Sequence, residues 1–196
     1  SNGGGTMSYT WTNSNTTTGL AAAGTGAIPV YNATNTSVSP VVSTITVWPH
    51  FTNVNKTCDG PPETFTITIN PTAAVNSVAE QFVCNGGQTT EVEFSTTNQS
   101  GSMTYEWTNS NTTIGLGSSG TGTIPVFNVT NNGLDPQVST ITVTPNFLNE
   151  GLSCDGPVMT FDITVNPTPR VDDPSDQVVC DDGSTSNIHF TTTNIG

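Results

Sequence analysis

The chain has 196 residues, with 15 acidic side chains against 2 basic ones and a formal net charge of −13. A surface of that sign excludes nucleic acid as an electrostatic partner. Charged residues are only 9% of the chain where about 25% is usual, and Thr, Asn, Ser and Gly supply the polarity, which excludes a helical bundle. Leu, Ile, Val and Phe make up about a fifth of the residues, near the level below which charged chains stay disordered, so hydrophobic periodicity must decide whether the chain folds. No apolar run is long enough to span a bilayer and no basic-then-apolar leader opens the chain. This predicts a soluble fragment or mature segment with no membrane insertion.

An internal repeat organises the rest. Trp11 and Trp107, Leu20 and Leu116, Cys58 and Cys154, and Cys84 and Cys180 are each separated by 96 residues. "YTWTNSNTT" from Tyr9 answers "YEWTNSNTT" from Tyr105, "VSTITV" from Val42 recurs at Val138, and "TFTITINPT" from Thr64 becomes "TFDITVNPT" from Thr160. A period of this length matches one sandwich domain rather than a solenoid unit. The "NPT" triplets at 70–72 and 166–168 follow strong strand patterns, and proline there closes a unit. The phase predicts an incomplete repeat lacking its first strands over 1–72, a complete β-sandwich repeat over 73–168, and the opening strands of a third over 169–196, cut from a longer array.

In chain order, the complete repeat offers a strand at 81–84, then 91–97, where Val92 and Phe94 alternate with Glu91 and Glu93, the period-two mark of a half-buried strand. Met103, Tyr105 and Trp107 repeat that alternation, 123–130 and 138–144 are rich in β-branched residues, and Phe161, Ile163 and Val165 alternate with Thr160, Asp162 and Thr164. Turn clusters such as "NQSGS" and "SSGTG" separate them, and no stretch has a helical period. Six or seven short antiparallel strands per repeat predict an all-β chain of immunoglobulin-like sandwiches.

The pieces "VCNGG" at Val83, "YEWTNSNTTIGLGSSGTGTIPVFNVTN" from Tyr105, "STITVTP" from Ser139, "CDG" at Cys154 and "FDITVNPTP" from Phe161 together resemble the PKD-like repeats of very large surface adhesins in gliding Bacteroidetes, nearest to the SprB-type gliding motility adhesins. The resemblance covers the whole chain. It implies tandem immunoglobulin-like domains, type IX secretion, an extracellular place on the bacterial outer cell surface, and service as a repetitive stalk or adhesive filament in attachment and gliding. Neighbouring repeats of the same chain are then partners, with an extracellular surface or polysaccharide as the far contact. The alternative reading is a carbohydrate-binding β-sandwich module of a secreted protein.

The four cysteines lack the close pairs of zinc sites, and disulfides are the expectation. Cys84 and Cys154 share the complete repeat and are the first candidate pair, whose long loop would add about 4 kcal/mol in the chain-entropy model. If 81–84 is a complete first strand, the two lie at opposite poles and the bridge fails; if it crosses to the other pole, the bridge forms. Cys58 and Cys180 have no partner within their own repeats, leaving partners outside the chain or intermolecular pairing. Residues 169–196 supply the strands that 1–72 lack, so head-to-tail self-association by strand complementation is a further expectation.

Nothing predicts catalysis. His50 aligns with Asn146 and His189 with Glu93, so neither is carried by the repeat, and no nucleophile-elbow, H-E-x-x-H or phosphate-loop pattern occurs. Trp11 and Trp107 with Tyr9 and Tyr105 read as core anchors, or else as stacking platforms for sugar rings; Trp48, aligned with Thr144, reads as exposed. Asp172, Asp173, Asp176, Asp181 and Asp182 are weak calcium candidates set against a plain solvated acidic face, and no other cofactor is implied. Asn-x-Ser/Thr triplets at Asn15, Asn32, Asn35, Asn55, Asn98, Asn111 and Asn128 are what so much Asn and Thr produces by chance. Lys56, the only lysine, aligns with Leu152, which disfavours isopeptide stiffening.

Overall fold

The structure is a computed structural model that describes residues 4–195. Its first half forms β1 (Thr6–Asn13), β2 (Ala23–Thr25), β3 (Val41–Asn53), β4 (Lys56–Asp59) and β5 (Glu63–Ile69). After β6 (Gln81–Cys84), the second half forms β7 (Ser102–Asn109), β8 (Ser119–Thr121), β9 (Gln137–Asn149), β10 (Leu152–Asp155) and β11 (Met159–Asn166). β7 to β11 therefore repeat β1 to β5 at the 96-residue offset, as do the single 3-10 turns Thr16–Thr18 and Thr112–Ile114. No α-helix occurs among the described residues.

Each half builds one sheet, β2-β1-β3 with β4 and β5 both on β3, and β6-β11-β9-β7-β8 with β10 on β9. The 13-residue central strands allow this sharing: β5 pairs with Val41 to Val47 and β4 with His50 to Asn53. Pro49 sits at the changeover. Its carbonyl accepts from the Gly60 amide, as Pro145 accepts from Gly156, so the missing proline N–H falls in the gap between two partner strands and costs no ladder bond.

In the second repeat Trp107, Ile141, Val143, Phe161, Ile163 and Val165 on the sheet pack against Val92, Ile114, Leu116, Ile124 and Val129 from the connecting segments. Those segments are extended but scarcely paired. The isolated bridges Val92 to Ile124 and Gln88 to Asn128 and a few single backbone hydrogen bonds, such as Thr89 to Phe127 and Val129 to Gly87, join them, so the strands expected at 91–97 and 123–130 are not formed, although Val92 is buried between exposed Glu91 and Glu93. Pro125 follows Ile124 without an N–H to extend the ladder. The core thus lies between a full sheet and a thin layer of extended chain. A second departure is β6, which pairs parallel to β11, where an antiparallel partner was expected.

The chain divides into two compact units. One comprises Ser1–Ala74, Thr96–Thr104 and Pro145–Pro157; the other comprises Val75–Ser95, Tyr105–Thr144 and Val158–Gly196. In this division the start of β7 and the end of β9, with β10, group with residues of the first repeat, and residues after 168 group with the second. Within the first unit the core is small, Trp11, Leu20 and Ile45, with Ile28, Tyr31, Val47 and Ile67 against it. Phe65 is 47% exposed where Phe161 is 4% exposed.

A glycine faces each central tryptophan across the edge pair, Gly24 opposite Trp11 and Gly120 opposite Trp107. A methyl group at either glycine would run into the indole ring. Gly120→Ala is expected to lower stability by roughly 1–3 kcal/mol through overpacking, while Gly117→Ala, which would meet open space, does not lower it; urea denaturation followed by tryptophan fluorescence measures both. By the same assay Phe161→Ala costs about 3–5 kcal/mol, and Phe65→Ala far less because its ring is already half in water.

Candidate functional site

The most distinctive repeated chemistry is a side-chain clamp on the segment after each "NPT". In the first unit the Asn98 amide nitrogen donates to the Thr72 carbonyl at 3.0 Å, and its oxygen accepts from the Ala74 amide at 2.7 Å and from the Thr96 hydroxyl at 3.0 Å. The next amide, Gln99, donates to the Val38 carbonyl at 2.8 Å. In the second unit, 96 residues on, Asn194 donates to Thr168 at 3.2 Å and accepts from the Arg170 amide at 2.6 Å and the Thr192 hydroxyl at 3.2 Å. There the Ile195 amide donates to the Leu134 carbonyl. Asparagine suits this place because one planar amide offers a donor and an acceptor to successive backbone groups.

In the first unit the clamp is backed by packing. Pro71, Ala73, Pro145 and Phe147 are all buried, Asn149 donates to the Asn70 side chain at 2.8 Å, and a methyl at Gly156 would strike the Ala73 carbonyl. Sequence reasoning saw Asn98 only as part of a common triplet. The signal that would have found it is the recurrence of "TTN" at the same phase, 96–98 and 192–194.

Two faces of the first unit are open. Met7, Pro49, Phe51, Cys58, Asp59 and Gly60 line an apolar depression of about 230 Å³; Phe51 is 43% exposed there, while its repeat equivalent Phe147 is fully buried. Beside Trp11, a groove of about 530 Å³ is lined by Leu20, Ala23, Gly24, Pro29 and Tyr31 among others.

Trp11 and Trp107 are buried and serve as core anchors. Tyr105 is half-buried, its ring centroid 5.4 Å from that of Phe94. Tyr9 is 44% exposed and is not a core anchor; among the described residues no ring packs on it as Phe94 packs on Tyr105. Trp48 is half-buried, not exposed, within β3.

All four cysteines are free thiols; Cys58, Cys84 and Cys180 are exposed and Cys154 is half-buried. The structure does not bring Cys84 and Cys154 together. Cys84 faces Asn166, just past the Val165 to Gln137 pair, and Cys154 faces Phe147, ten residues along β9 from Gln137. A disulfide needs Cα atoms within about 7 Å. The 81–84 strand is complete, which is the case in which the bridge fails.

The five aspartates do not assemble either: among the described residues no group of three or more His, Cys, Asp or Glu side chains could hold a metal ion. Asp172 instead accepts from the Thr191 hydroxyl. His50 bridges the Thr10 hydroxyl at 2.9 Å and Asp59 at 2.7 Å, and its equivalent Asn146 makes the corresponding bond to Asp155, so the imidazole stands in for an amide. Asn15 and Asn111 cap the 3-10 turns by accepting from the Thr17 and Thr113 amides, a local role for the "NSNTT" motif.

No family model matches the chain, and no curated protein matches it.

Asn98→Ala leaves the Thr72 carbonyl and Ala74 amide without this partner, and is expected to cost about 1–2 kcal/mol and to speed hydrogen exchange at Ala74. Asn98→Asp keeps the acceptor and so keeps Ala74 protected. Unchanged exchange at Ala74 in Asn98→Ala would show that this side chain does not hold the segment.

Proposed function

We propose that the chain is a stalk segment of an exported cell-surface adhesin, built of tandem immunoglobulin-like, PKD-like repeats that serve attachment and gliding on the outer surface of a bacterial cell after type IX secretion. The observation that carries this reading is the repeated clamp. Asn98 and Asn194 hold the segment after each "NPT" through matching backbone partners, so the same clamp is encoded in the repeat along with the sheet. A spacer built of like units is served by that property, since every unit then holds its own segments in the same way. Low charge density and abundant threonine keep such a surface wet without long charged side chains.

The burial of Trp11 and Trp107 favours the spacer over the carbohydrate-binding module, because indoles packed beneath glycines offer no stacking platform for sugar rings. The test pairs two measurements. Antibodies against the chain should label intact cells, with labelling abolished by brief protease treatment, and a glycan array with tryptophan fluorescence should give no saturable response. Labelling seen only in broken cells would overturn the surface assignment, and a saturable glycan response would replace the spacer by the lectin-like module.

A further inference from the structure

His50 and Asn146 occupy one position in the two repeats, and each holds the aspartate beside it, Asp59 or Asp155. An amide is enough for that bond. The imidazole adds a second ring nitrogen, and in the first repeat that nitrogen meets a hydroxyl: Nε2 lies 2.9 Å from Thr10 Oγ1 while Nδ1 lies 2.7 Å from Asp59 Oδ1. A carboxylate only accepts, so Nδ1 carries the ring proton and Nε2 is left to accept from the Thr10 hydroxyl. Hydroxyl, imidazole and carboxylate in that order are the arrangement by which acyl-transfer hydrolases activate a nucleophile. In the second repeat the same three places hold Glu106, Asn146 and Asp155, so the arrangement belongs to the first repeat alone.

Paired strands place these groups. Thr10 is on β1, His50 on β3 and Asp59 on β4; His50 faces Asp59 in one ladder and Ser8, two residues from Thr10, in the other. Alternation puts Ser8 and Thr10 on one face of the sheet, so all three side chains share the outer face, away from buried Trp11 and Ile45. β1 to β4 alone build this face. The His50 side chain is 22% and the Asp59 side chain 72% exposed, and Thr10 is half-buried, which holds the nucleophile and base in place while leaving them within reach of a solute. Thr10 is flanked across its two ladders by Thr25 and Trp48, a second hydroxyl and an indole N–H on the same face. Strand amides lie in the plane of the sheet, so an oxyanion forming over Thr10 would be met by side-chain donors such as these.

The geometry points to an acyl-transfer site on small neutral carboxylic esters, with Thr10 as nucleophile, His50 as general base and Asp59 positioning the imidazole. Charge and neighbours set the substrate class. A net charge of −13 disfavours anionic esters, and Trp48 offers a planar surface to an aryl or similarly flat group. Thr10 Oγ1 bonds the acyl carbon as His50 Nε2 takes the hydroxyl proton; the tetrahedral adduct collapses with cleavage of the bond to the leaving oxygen, which departs with that proton as the alcohol. Water then attacks acyl-Thr10 with His50 again as base, releasing the carboxylic acid and restoring the hydroxyl. The site does not rest on the proposed function, and it gives one repeat a chemistry that the other lacks.

To test it, the whole chain, with its thiols alkylated by iodoacetamide, is incubated with p-nitrophenyl acetate. Nitrophenolate release is followed, and acetylated peptides are located by mass spectrometry after acid quenching. The expected result is acetyl on Thr10 and a release rate that falls roughly a hundredfold in Thr10→Val and in His50→Asn, while Thr10→Ser keeps the rate. His50→Asn retains a bond to Asp59 of the kind that Asn146 makes to Asp155, so its thermal melt stays unchanged and a lost rate is not a lost fold. Asp59→Asn lets the imidazole adopt its other tautomer and lowers kcat with KM unchanged, a split that a merely structural carboxylate does not produce. Release as fast from Thr10→Val as from the parent chain would overturn the proposal, because an imidazole acting alone then accounts for it. So would acetyl groups found on Lys56 and not on Thr10, or a loss in His189→Asn equal to that in His50→Asn.

Discussion

A sheet with one apolar face is stable only when something covers that face, and this chain has little with which to cover it. Its aliphatic and phenylalanine residues are about a fifth of the total, and most of those in the second repeat are gathered on a single surface around Trp107, Ile141 and Ile163. Burying each is worth roughly 1.5–3 kcal/mol, so loss of the covering layer removes a large part of the stabilisation available to a unit of this size. The first repeat displays the consequence. Its five strands are neighbours in the same order as β7 to β11, yet Phe65, Phe51 and Tyr9 face solvent, and no counterpart of β6 lies beside β5 among the described residues.

The cover is thin, and asparagine makes it possible. Extended chain that is not in a sheet leaves amides and carbonyls without ladder partners, each costly to bury. Buried Asn109 donates to the Leu116 carbonyl and accepts from the Asn111 amide and the Ser139 hydroxyl, and Asn13 repeats the arrangement with Leu20, Asn15 and Ser43. Asn131 donates to the Val165 and Asp135 carbonyls while its own amide reaches Asn85. These neutral amides do the work that a second sheet does in a thicker sandwich, and they explain how a chain so poor in charged residues can hold irregular segments in place.

The regular elements were legible in the sequence. Alternation at Met103, Tyr105 and Trp107, and at Phe161, Ile163 and Val165, lies on β7 and β11, and 81–84 coincides with β6. Alternation reports which side chains face the core, however, not whether the backbone is paired. Val92 is buried as its pattern implies, but its segment makes an isolated bridge rather than a ladder. The pairing of Cys84 with Cys154 failed for a related reason: membership of one repeat says nothing about which end of a long central strand each cysteine meets. Tyr9 looked like Tyr105 because the local words match, yet Tyr105 packs on the Phe94 ring while Tyr9 is exposed, a contact that the local words do not encode. Asn98 was invisible amid so many asparagines, since nothing in a single sequence separates a side chain that bonds two backbone groups from one that faces water.

The clamp has a bearing on how a gene for such a chain can change. Each 96-residue period contains both parts of the clamp: an asparagine, Asn98 or Asn194, that bonds the segment after "NPT", and a carbonyl, Val38 or Leu134, that receives the amide following such an asparagine. Unequal recombination between repeats therefore adds or removes whole periods without creating a mismatched seam. Deletion of a single codon in the stretch from "NPT" to "TTN" shifts the asparagine away from both of its backbone partners. Selection on such a gene would accordingly tolerate wide variation in repeat number while holding the length of each period fixed.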